Sequence, residues 1–199
     1  MSDLHFSTTF VTAIILAGGR GQRMGERDKG LLTLAERPLV EHVMDALRPQ
    51  VGDMIINANR NLDLYQDYGY RVIPDRLEGY AGPLAGIASA LEQIATPLAL
   101  VVPCDSPRPP PDLAQRLYRA MTNDVDIAIA HDGERLQPLF CLLRTTLCET
   151  LTHSIAKGHC KVQRWMLERN HRIVDFSDRR AHFDNLNTPE ELRKAESTG

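Results

Sequence analysis

Residues 10–25 read FVTAIILAGGRGQRMG, and this stretch decides the fold. Phe10–Leu16 is apolar and partly β-branched, and Gly18-Gly19 closes it, which predicts a buried strand. The loop that follows is rich in glycine and arginine, and Lys29 comes shortly after it. Glycines let the backbone approach an anion with its N–H groups turned inward, while Arg and Lys supply positive charge. Strand and loop together predict a triphosphate site; a surface loop with solvated charges is the alternative.

Short apolar runs alternate with amphipathic stretches along the rest of the chain. The predicted strands are Phe10–Leu16, Met54–Ile56, Tyr70–Ile73, Leu98–Val102, Val125–Ala130, Pro138–Leu143 and Ile173–Val174. The predicted helices are Pro38–Leu47, Leu62–Tyr68, Gly82–Ile94, Asp112–Met121, Thr146–Ala156, Lys161–Arg169 and one that begins at the capping box Thr188-Pro189-Glu190-Glu191. Alternating strands and helices with apolar strands predict a mostly parallel sheet covered on both faces, a Rossmann-like three-layer α/β sandwich.

Two further features complete the predicted outline. Asp132-Gly133 is a hairpin turn signal between two predicted strands, so we expect one antiparallel strand added to the sheet. The chain has 199 residues, and two domains would each be small. A single domain over residues 1–199 is therefore expected.

Composition argues against several classes of protein. The net charge is −3 and no run of Lys or Arg is present, whereas a nucleic-acid binder needs a basic face. The apolar runs are too short to cross a bilayer, and residues 1–10 show no secretory signal. The cysteines Cys104, Cys141, Cys148 and Cys160 form no C-x-x-C pair, which fits a reducing compartment. We expect a cytoplasmic protein without nucleic-acid or membrane partners.

Distinctive residues follow four of the predicted strands. They are Gly18-Gly19, Asn57, Asp75 and Asp105. Ligands of an open α/β sheet bind outside the carboxyl ends of its strands, so these residues are expected to meet at one edge. Asn and Asp also end strands simply as turn formers, which is the alternative for each one alone. Their convergence beside a basic glycine loop favours a ligand site.

Two common phosphate motifs do not fit this loop. A Walker A string, G-x-x-x-x-G-K-[ST], does not occur in the sequence. The dinucleotide pattern G-x-G-x-x-G starts at Gly19 but meets Met24 where its third glycine should stand. A dehydrogenase is therefore a weak interpretation of the loop.

Asp105 is the candidate metal ligand. It follows an apolar strand and precedes Ser106-Pro107, whose proline stiffens the loop. Mg²⁺ binds through one or two carboxylates together with substrate phosphates, so a lone strand-end carboxylate suits it. A strand-end turn is the alternative role. Cys104 has no spacing to a His and an acid that would make it a nucleophile, and a small buried residue is expected there.

These motifs together resemble the molybdenum cofactor guanylyltransferase (MobA-like) family of sugar-nucleotide-type nucleotidyltransferases. The resemblance starts at the loop from Leu16 to Gly25 and at Asp28-Lys29-Gly30. It continues through Asn57-Ala58-Asn59-Arg60, Gly82-Pro83-Leu84-Ala85-Gly86, Pro103-Cys104-Asp105-Ser106-Pro107, Asp132-Gly133-Glu134, Gln137-Pro138 and Asn185-Leu186-Asn187-Thr188-Pro189-Glu190-Glu191. The blocks span nearly the whole chain. The implied fold is that of the nucleotide-diphospho-sugar transferases.

The resemblance implies a set of nucleotide contacts with GTP. The residues implied at the nucleotide are Leu16, Ala17, Gly18, Gly19, Lys29, Asn57, Asp75, Gly82 and Asp105. In the implied mechanism Asp105 holds Mg²⁺, Lys29 contacts the α-phosphate and Arg23 contacts the departing pyrophosphate.

The second implied substrate is molybdenum-molybdopterin, which would receive GMP to give the guanine dinucleotide cofactor. Asn185 and Asn187 resemble positions at the pterin side, and Asn187 is also a candidate for completing the metal site. Lys161 and Arg164 could meet the acceptor phosphate, although a solvated helix face explains them equally well. Residues 158–161 are less arginine-rich than in some relatives of this family.

Other functions remain open at this point. A cytidylyltransferase for the same pterin or a sugar-phosphate nucleotidyltransferase would use a similar site. A non-catalytic adaptor that binds and delivers the molybdenum cofactor belongs to a different class, and Lys29 with Asp105 argues against it. Other cofactor-biosynthesis proteins and molybdoenzyme chaperones are candidate partners.

Overall fold

A seven-stranded sheet runs through the computed structural model, which describes residues 6–18, 28–76, 82–158, 161–186 and 190–193. In chain order the strands are β1 (Val11–Leu16), β2 (Thr33–Leu34), β3 (Arg37–Pro38), β4 (Asp53–Asn57), β5 (Arg71–Ile73), β6 (Leu98–Pro103), β7 (Ile127–His131), β8 (Leu136–Arg144) and β9 (His171–Asp175). The large sheet has the order β5-β4-β1-β6-β8-β7-β9, and β2 pairs with β3. Within this described sheet β8 alone is reversed, being antiparallel to both β6 and β7. The prediction of one added antiparallel strand is confirmed.

Helices cover both faces of the sheet. They are α1 (Leu39–Leu47), α2 (Leu62–Gln66), α3 (Pro83–Leu91), α4 (Leu113–Arg119), α5 (Cys148–Ala156) and α6 (Val162–Leu167). Buried side chains of α1, α2 and α4 form one apolar cluster with the sheet, and those of α3, α5 and α6 form another. The predicted three-layer α/β sandwich is confirmed. Among the residues that the structure describes, every helix is too short or too polar to cross a bilayer.

Strand β1 lies between the two apolar layers. Ala13 and Ile15 point into the cluster of α1, α2 and α4, while Ile14 points into the cluster of α3, α5 and α6. All three are fully buried, as expected for a parallel strand covered on both faces. Leu16 is in register with Asn57 on β4 and with Pro103 on β6. The residues that follow these three strands therefore emerge at one edge of the sheet.

The structure departs from the predicted elements in detail. Phe10 belongs to a short 3-10 turn and is exposed instead of starting β1. The β2–β3 hairpin was not predicted, because its two turn residues, Ala35 and Glu36, have positive φ without the usual Asn-Gly signal. Residues 190–193 are helical, as expected, while the first two residues of the capping box lie outside the described residues.

Candidate functional site

A cavity of about 440 Å³ opens where β1, β4 and β6 end. Its size is within the usual range for small-molecule sites, roughly 300–1,000 Å³. It is lined by Leu16, Ala17, Gly18, Lys29, Asn57, Asp75, Gly82, Pro83, Pro103, Cys104, Asp105, Arg135, Leu136, Gln137, Pro138, Leu139, Phe140 and Asn185. The structure thus brings Gly18, Asn57, Asp75 and Asp105, four strand-end residues from distant parts of the chain, to one cavity.

One wall of the cavity is a network of amides around Asp75. The buried Asn57 donates from Nδ2 to Asp75 Oδ1 at 2.9 Å and to the Ile73 carbonyl at 3.0 Å. Asn59 donates from Nδ2 to Asp75 Oδ2 at 2.9 Å and accepts from the Asp75 backbone N–H at 2.8 Å. The same Nδ2 lies 3.4 Å from the Gly18 carbonyl oxygen. The carboxylate is held on both oxygens, so this wall is preorganised.

Helix α3 supports this wall through a close approach at Gly86. A Cβ at Gly86 would lie 2.1 Å from Asn57 Oδ1 and 2.7 Å from Asn57 Cγ. Real Cβ atoms do not approach other atoms this closely, and Asn57 is buried. Only glycine lets α3 pack against the Asn57 carboxamide in this arrangement.

Lys29 and Asp105 face each other in the cavity. Lys29 Nζ donates to Asp105 Oδ2 at 3.0 Å, and the two side chains are 28 % and 14 % exposed. This partial shielding makes their attraction stronger than that of a fully exposed pair. The pair joins the segment after β1 to the end of β6.

Asp28, the residue before Lys29, is held by hydrogen bonds of its own. Asp28 Oδ1 accepts from the hydroxyl of buried Tyr65 at 2.6 Å and from the Gly30 N–H at 3.2 Å. Asp28 Oδ2 accepts from Asn61 Nδ2 at 3.0 Å. Burial and the contact with Asp28 raise the pKa of Tyr65 well above its usual value, so Tyr65 remains a donor. Asp28 therefore anchors the turn that carries Lys29.

Asn185 reaches the cavity because its segment is tied to the end of β6. The Ser106 hydroxyl donates to Asn185 Oδ1 at 2.6 Å, and the Leu186 N–H donates to the Asp105 carbonyl at 2.8 Å. Ser106 is fully buried, so the contact is shielded from water. Asn185 consequently lies next to the segment that follows β6.

The turn between β7 and β8 forms the other wall, and the buried Asp132 organises it. Asp132 Oδ1 accepts from the backbone N–H groups of Glu134 and Arg135, each at 2.8 Å. Asp132 Oδ2 accepts from Gln137 Nε2 at 2.6 Å. Burial alone would raise the pKa of Asp132, but these hydrogen bonds outweigh it and lower the pKa to about 2. A carboxylate that is ionised at neutral pH thus fixes this wall.

The donor set at Asp105 fits a hard divalent cation that also binds substrate phosphates. The described residues contain no group of three or more His, Cys, Asp or Glu side chains able to enclose a metal. Asp105 is a single carboxylate open to the cavity, with Asp75 on another part of the lining. One or two carboxylates plus phosphate oxygens is the arrangement typical of Mg²⁺. Asp105 is therefore the residue suited to hold such an ion.

Cys104 lines the same cavity without the properties of a nucleophile. Burial raises the pKa of its thiol well above the usual value, and the neighbouring carboxylate of Asp105 adds to this effect. A thiol reacts as its thiolate, so a raised pKa makes Cys104 inert. This agrees with the expectation of a small buried residue.

Five predicted site residues are not among the described residues that line this cavity. Gly19, Arg23 and Asn187 lie outside the described residues. Lys161 precedes α6 and Arg164 lies on it, where Arg164 Nε donates to Glu168 Oε1 at 3.0 Å. Neither is among the residues that line the cavity, and their role at the acceptor stays a prediction.

Three residues contribute to the site in ways that were not predicted from the sequence. Asn59, which holds Asp75, was noted only as part of a motif. Arg135 was not singled out, and Gln137 carried no role, although both line the cavity. The hairpin signal at Asp132-Gly133 was a usable clue, but it did not show that β8 inserts next to β6.

Known proteins are similar to this chain over most of its length. The family model described as the MobA-like NTP transferase domain matches residues 13–173. A molybdenum cofactor guanylyltransferase of Acidovorax ebreus is 47 % identical over 203 residues, which covers 95 % of this chain and 96 % of that protein. One of the same name from Shewanella pealeana is 42 % identical over 185 residues and 92 % of each chain.

A solved structure supports the fold. Molybdopterin-guanine dinucleotide biosynthesis protein A of Archaeoglobus fulgidus superimposes with a TM-score of 0.77 at 23 % identity, over 94 % of this chain and 97 % of that one. The family model and the two relatives decide the assignment: the chain belongs to the MobA-like NTP transferase family.

Proposed function

We propose that this chain transfers GMP from GTP to molybdenum-molybdopterin, giving molybdopterin guanine dinucleotide and pyrophosphate. Full-length relatives at 42–47 % identity are named molybdenum cofactor guanylyltransferases. The observation that carries the proposal is the Lys29–Asp105 pair, 3.0 Å apart inside a cavity large enough for a nucleotide. A cation beside a metal-binding carboxylate is suited to phosphoryl chemistry, in which charge stabilisation does most of the work.

In the proposed binding mode the nucleotide lies along the ends of β5, β4 and β1. Asn57 and Asp75 contact base and ribose, since their network at one end of the cavity offers both amide and carboxylate groups. The backbone of Leu16, Ala17 and Gly18 approaches the phosphates, where glycine leaves room for an anion. Gly19 and Gly82 complete this set.

The chemistry proposed for the chain's own residues is electrostatic. A terminal phosphate oxygen of the acceptor, ionised near neutral pH, attacks the α-phosphorus in line, and the bond to pyrophosphate breaks. Lys29 stabilises the negative charge on the α-phosphate, and Arg23 contacts the departing pyrophosphate. Asp105 holds a divalent ion, proposed to be Mg²⁺, which offsets phosphate charge when bound. No strong general base is required.

The acceptor is proposed to bind next to Asp105, on the side where Asn185 lies. Asn185 and Asn187 contact the pterin, and Asn187 is a further candidate ligand of the ion. Asn185 is held by Ser106 next to Asp105, which supports this placement. Lys161 and Arg164 remain candidates for the acceptor phosphate.

Three wider proposals accompany this function. A single nucleotidyltransferase domain over residues 1–199 is supported by two helical layers that share one sheet. A cytoplasmic site of action is supported by the free thiols of Cys104, Cys141 and Cys148. Other cofactor-biosynthesis proteins or molybdoenzyme chaperones would receive the product.

The test is to supply molybdenum-molybdopterin and Mg²⁺ with GTP, CTP, ATP or UTP in separate reactions and to follow pyrophosphate. We expect release with GTP to exceed release with the other three nucleotides. A preference for CTP would instead make the chain a cytidylyltransferase. Binding of the pterin with no pyrophosphate from any nucleotide would make it an adaptor.

A further inference from the structure

The strand order lays out the cavity as a line across the sheet. Asp75 and Asn57 belong to the β5–β4 side, Gly18 to the end of β1 and Asp105 to the end of β6. Next to β6 comes β8, and because β8 is antiparallel, its first residues lie at this edge. A nucleotide on the β5-to-β1 side has its α-phosphate near β6. In an in-line displacement the acceptor then approaches from the β8 side.

Arg135 is the cation on that side. Among the described residues that line the cavity, Lys29 and Arg135 are the two cations, and Lys29 is paired with Asp105. The Arg135 side chain is 70 % exposed, so a ligand can reach it. Its Nε lies 3.6 Å from Asp132 Oδ2, which is longer than a charge-assisted hydrogen bond of about 2.7–2.9 Å.

The backbone of Arg135 is fixed although its side chain is accessible. Its N–H donates to Asp132 Oδ1 at 2.8 Å, and its carbonyl accepts from the Asp132 N–H at 3.1 Å. Gln137 Nε2, 2.6 Å from Asp132 Oδ2, supplies a hydrogen bond to that oxygen. The oxygens of Asp132 are therefore satisfied without the Arg135 guanidinium, which leaves that group available for an anion.

We propose that Arg135 binds the phosphate monoester of the acceptor, with Asp132 as the positioning residue that fixes its turn. This inference rests on the proposed function, because it takes the nucleotide to occupy the Asn57–Asp75 side. A planar guanidinium matches two phosphate oxygens at once, and it would hold the attacking oxygen opposite the departing pyrophosphate. Arg135 thereby acts on the acceptor and not on the nucleotide.

The test measures the KM for molybdenum-molybdopterin and the KM for GTP separately in Arg135→Gln, Arg135→Lys and a matched control. Arg119→Gln is that control, since Arg119 is exposed at the end of α4 and is not among the cavity-lining residues. Loss of a hydrogen-bonded charge should raise the acceptor KM about tenfold to a hundredfold in Arg135→Gln. Arg135→Lys should give a smaller rise because the charge remains without the fork. The KM for GTP should stay within about twofold, which is well under 1 kcal/mol.

The outcomes separate this inference from the proposed function. An acceptor KM that is unchanged in Arg135→Gln, while the wild-type chain is active, overturns the role of Arg135 alone. An equal rise in the KM for GTP also overturns it, since the residue would then act on the whole cavity. A wild-type chain that forms no dinucleotide from GTP and this acceptor refutes the proposed function itself.

Discussion

Lys29 Nζ and Asp105 Oδ2 lie 3.0 Å apart, although 75 residues of chain separate the two side chains. Lys29 is carried by the turn that Asp28 anchors through Tyr65 and Asn61, and Asp105 lies two residues after the end of β6. The pair therefore connects the segment that follows the glycine-rich loop to the centre of the sheet. Its two charges are placed before any substrate arrives, which reduces the reorganisation needed during the reaction.

Neutralising Asp105 should lower turnover strongly and leave the fold intact. Asp105→Asn keeps the shape of the side chain but loses the charge that pairs with Lys29 and suits a divalent ion. Loss of such a group costs roughly 2–4 kcal/mol in the transition state, or on the order of a hundredfold or more in rate. The measurement is pyrophosphate release at saturating GTP and Mg²⁺, with circular dichroism as the control for folding. Turnover close to that of the wild type would remove Asp105 from the metal role.

Gly86→Ala should weaken nucleotide binding from outside the cavity. The new Cβ would lie 2.1 Å from Asn57 Oδ1, so the Asn57 carboxamide must move away from Asp75. Such overpacking costs about 1–3 kcal/mol in the free energy of unfolding, and we expect the KM for GTP to rise with it. Urea denaturation and steady-state kinetics are the two measurements.

The matched control for this change is Gly52→Ala. Its Cβ would lie 3.0 Å from the Thr8 carbonyl oxygen, just before β4 and at the opposite edge from the cavity. The control should lose stability without any change in the KM for GTP. If both variants raise that KM equally, the contact between α3 and Asn57 has no specific part in nucleotide binding.

Replacing Asn59 by Asp should disturb the wall around Asp75. The Asn59 amide now donates to Asp75 Oδ2 at 2.9 Å, and a carboxylate there would face Asp75 with like charge. We expect the KM for GTP to rise about tenfold, equivalent to about 1.4 kcal/mol, with a smaller change in kcat. Asn123→Asp, on an exposed turn, is the control for the added charge. An unaltered KM for GTP in Asn59→Asp would show that Asp75 needs no support from Asn59.

The stabilising effect of Asp132 should fade at acid pH. Its folded-state pKa of about 2 lies below the ordinary value of 3.8, so the ionised form is favoured in the folded chain. Its contribution is fully present above pH 3.8 and is lost as the pH falls toward 2. Asp132→Asn should lower the free energy of unfolding by about 1.5–3 kcal/mol at pH 7, because hydrogen bonds to a charged group are lost.

Urea denaturation of both proteins at several pH values between 7 and 3 checks this prediction. The difference between wild type and Asp132→Asn should be constant near neutrality and should begin to shrink below pH 4, close to the ordinary pKa. Glu149→Gln, at the start of α5, is a control that changes charge on an exposed surface. A difference that stays the same at every pH would mean that the charge of Asp132 is not what holds the turn.

Several parts of the fold follow from local sequence. Pro38–Leu47 shows helical spacing, and α1 is observed over Leu39–Leu47. The stretch up to Leu16 is apolar apart from Thr12 because its strand is buried on both faces. Local patterns of this kind depend on a few neighbouring residues, and the sequence displays them directly. The β2–β3 hairpin was not predicted because its turn residues, Ala35 and Glu36, are not the Asn and Gly that usually mark such a turn.

The grouping of Gly18, Asn57, Asp75 and Asp105 was also predictable in outline. Each follows a strand, and parallel strands bring their carboxyl ends to one edge. The pairing of the side chains was not predictable. The hydrogen bond from Asn59 to Asp75 and the ion pair of Lys29 with Asp105 depend on distances between separate segments of the chain. Such contacts follow from packing between segments far apart in the chain.

By itself the sequence determined the α/β class, the edge where the cavity lies and the residue types that line the cavity at the ends of β1, β4 and β5. Hydrophobic periodicity and the residues at strand ends are local properties, so they can be read directly from the amino-acid sequence. Only the tertiary structure decided that the antiparallel strand, β8, inserts between β6 and β7, and this brings Arg135 and Gln137 to the cavity. Strand order is set by how whole layers bury their apolar faces, which no short stretch of sequence encodes.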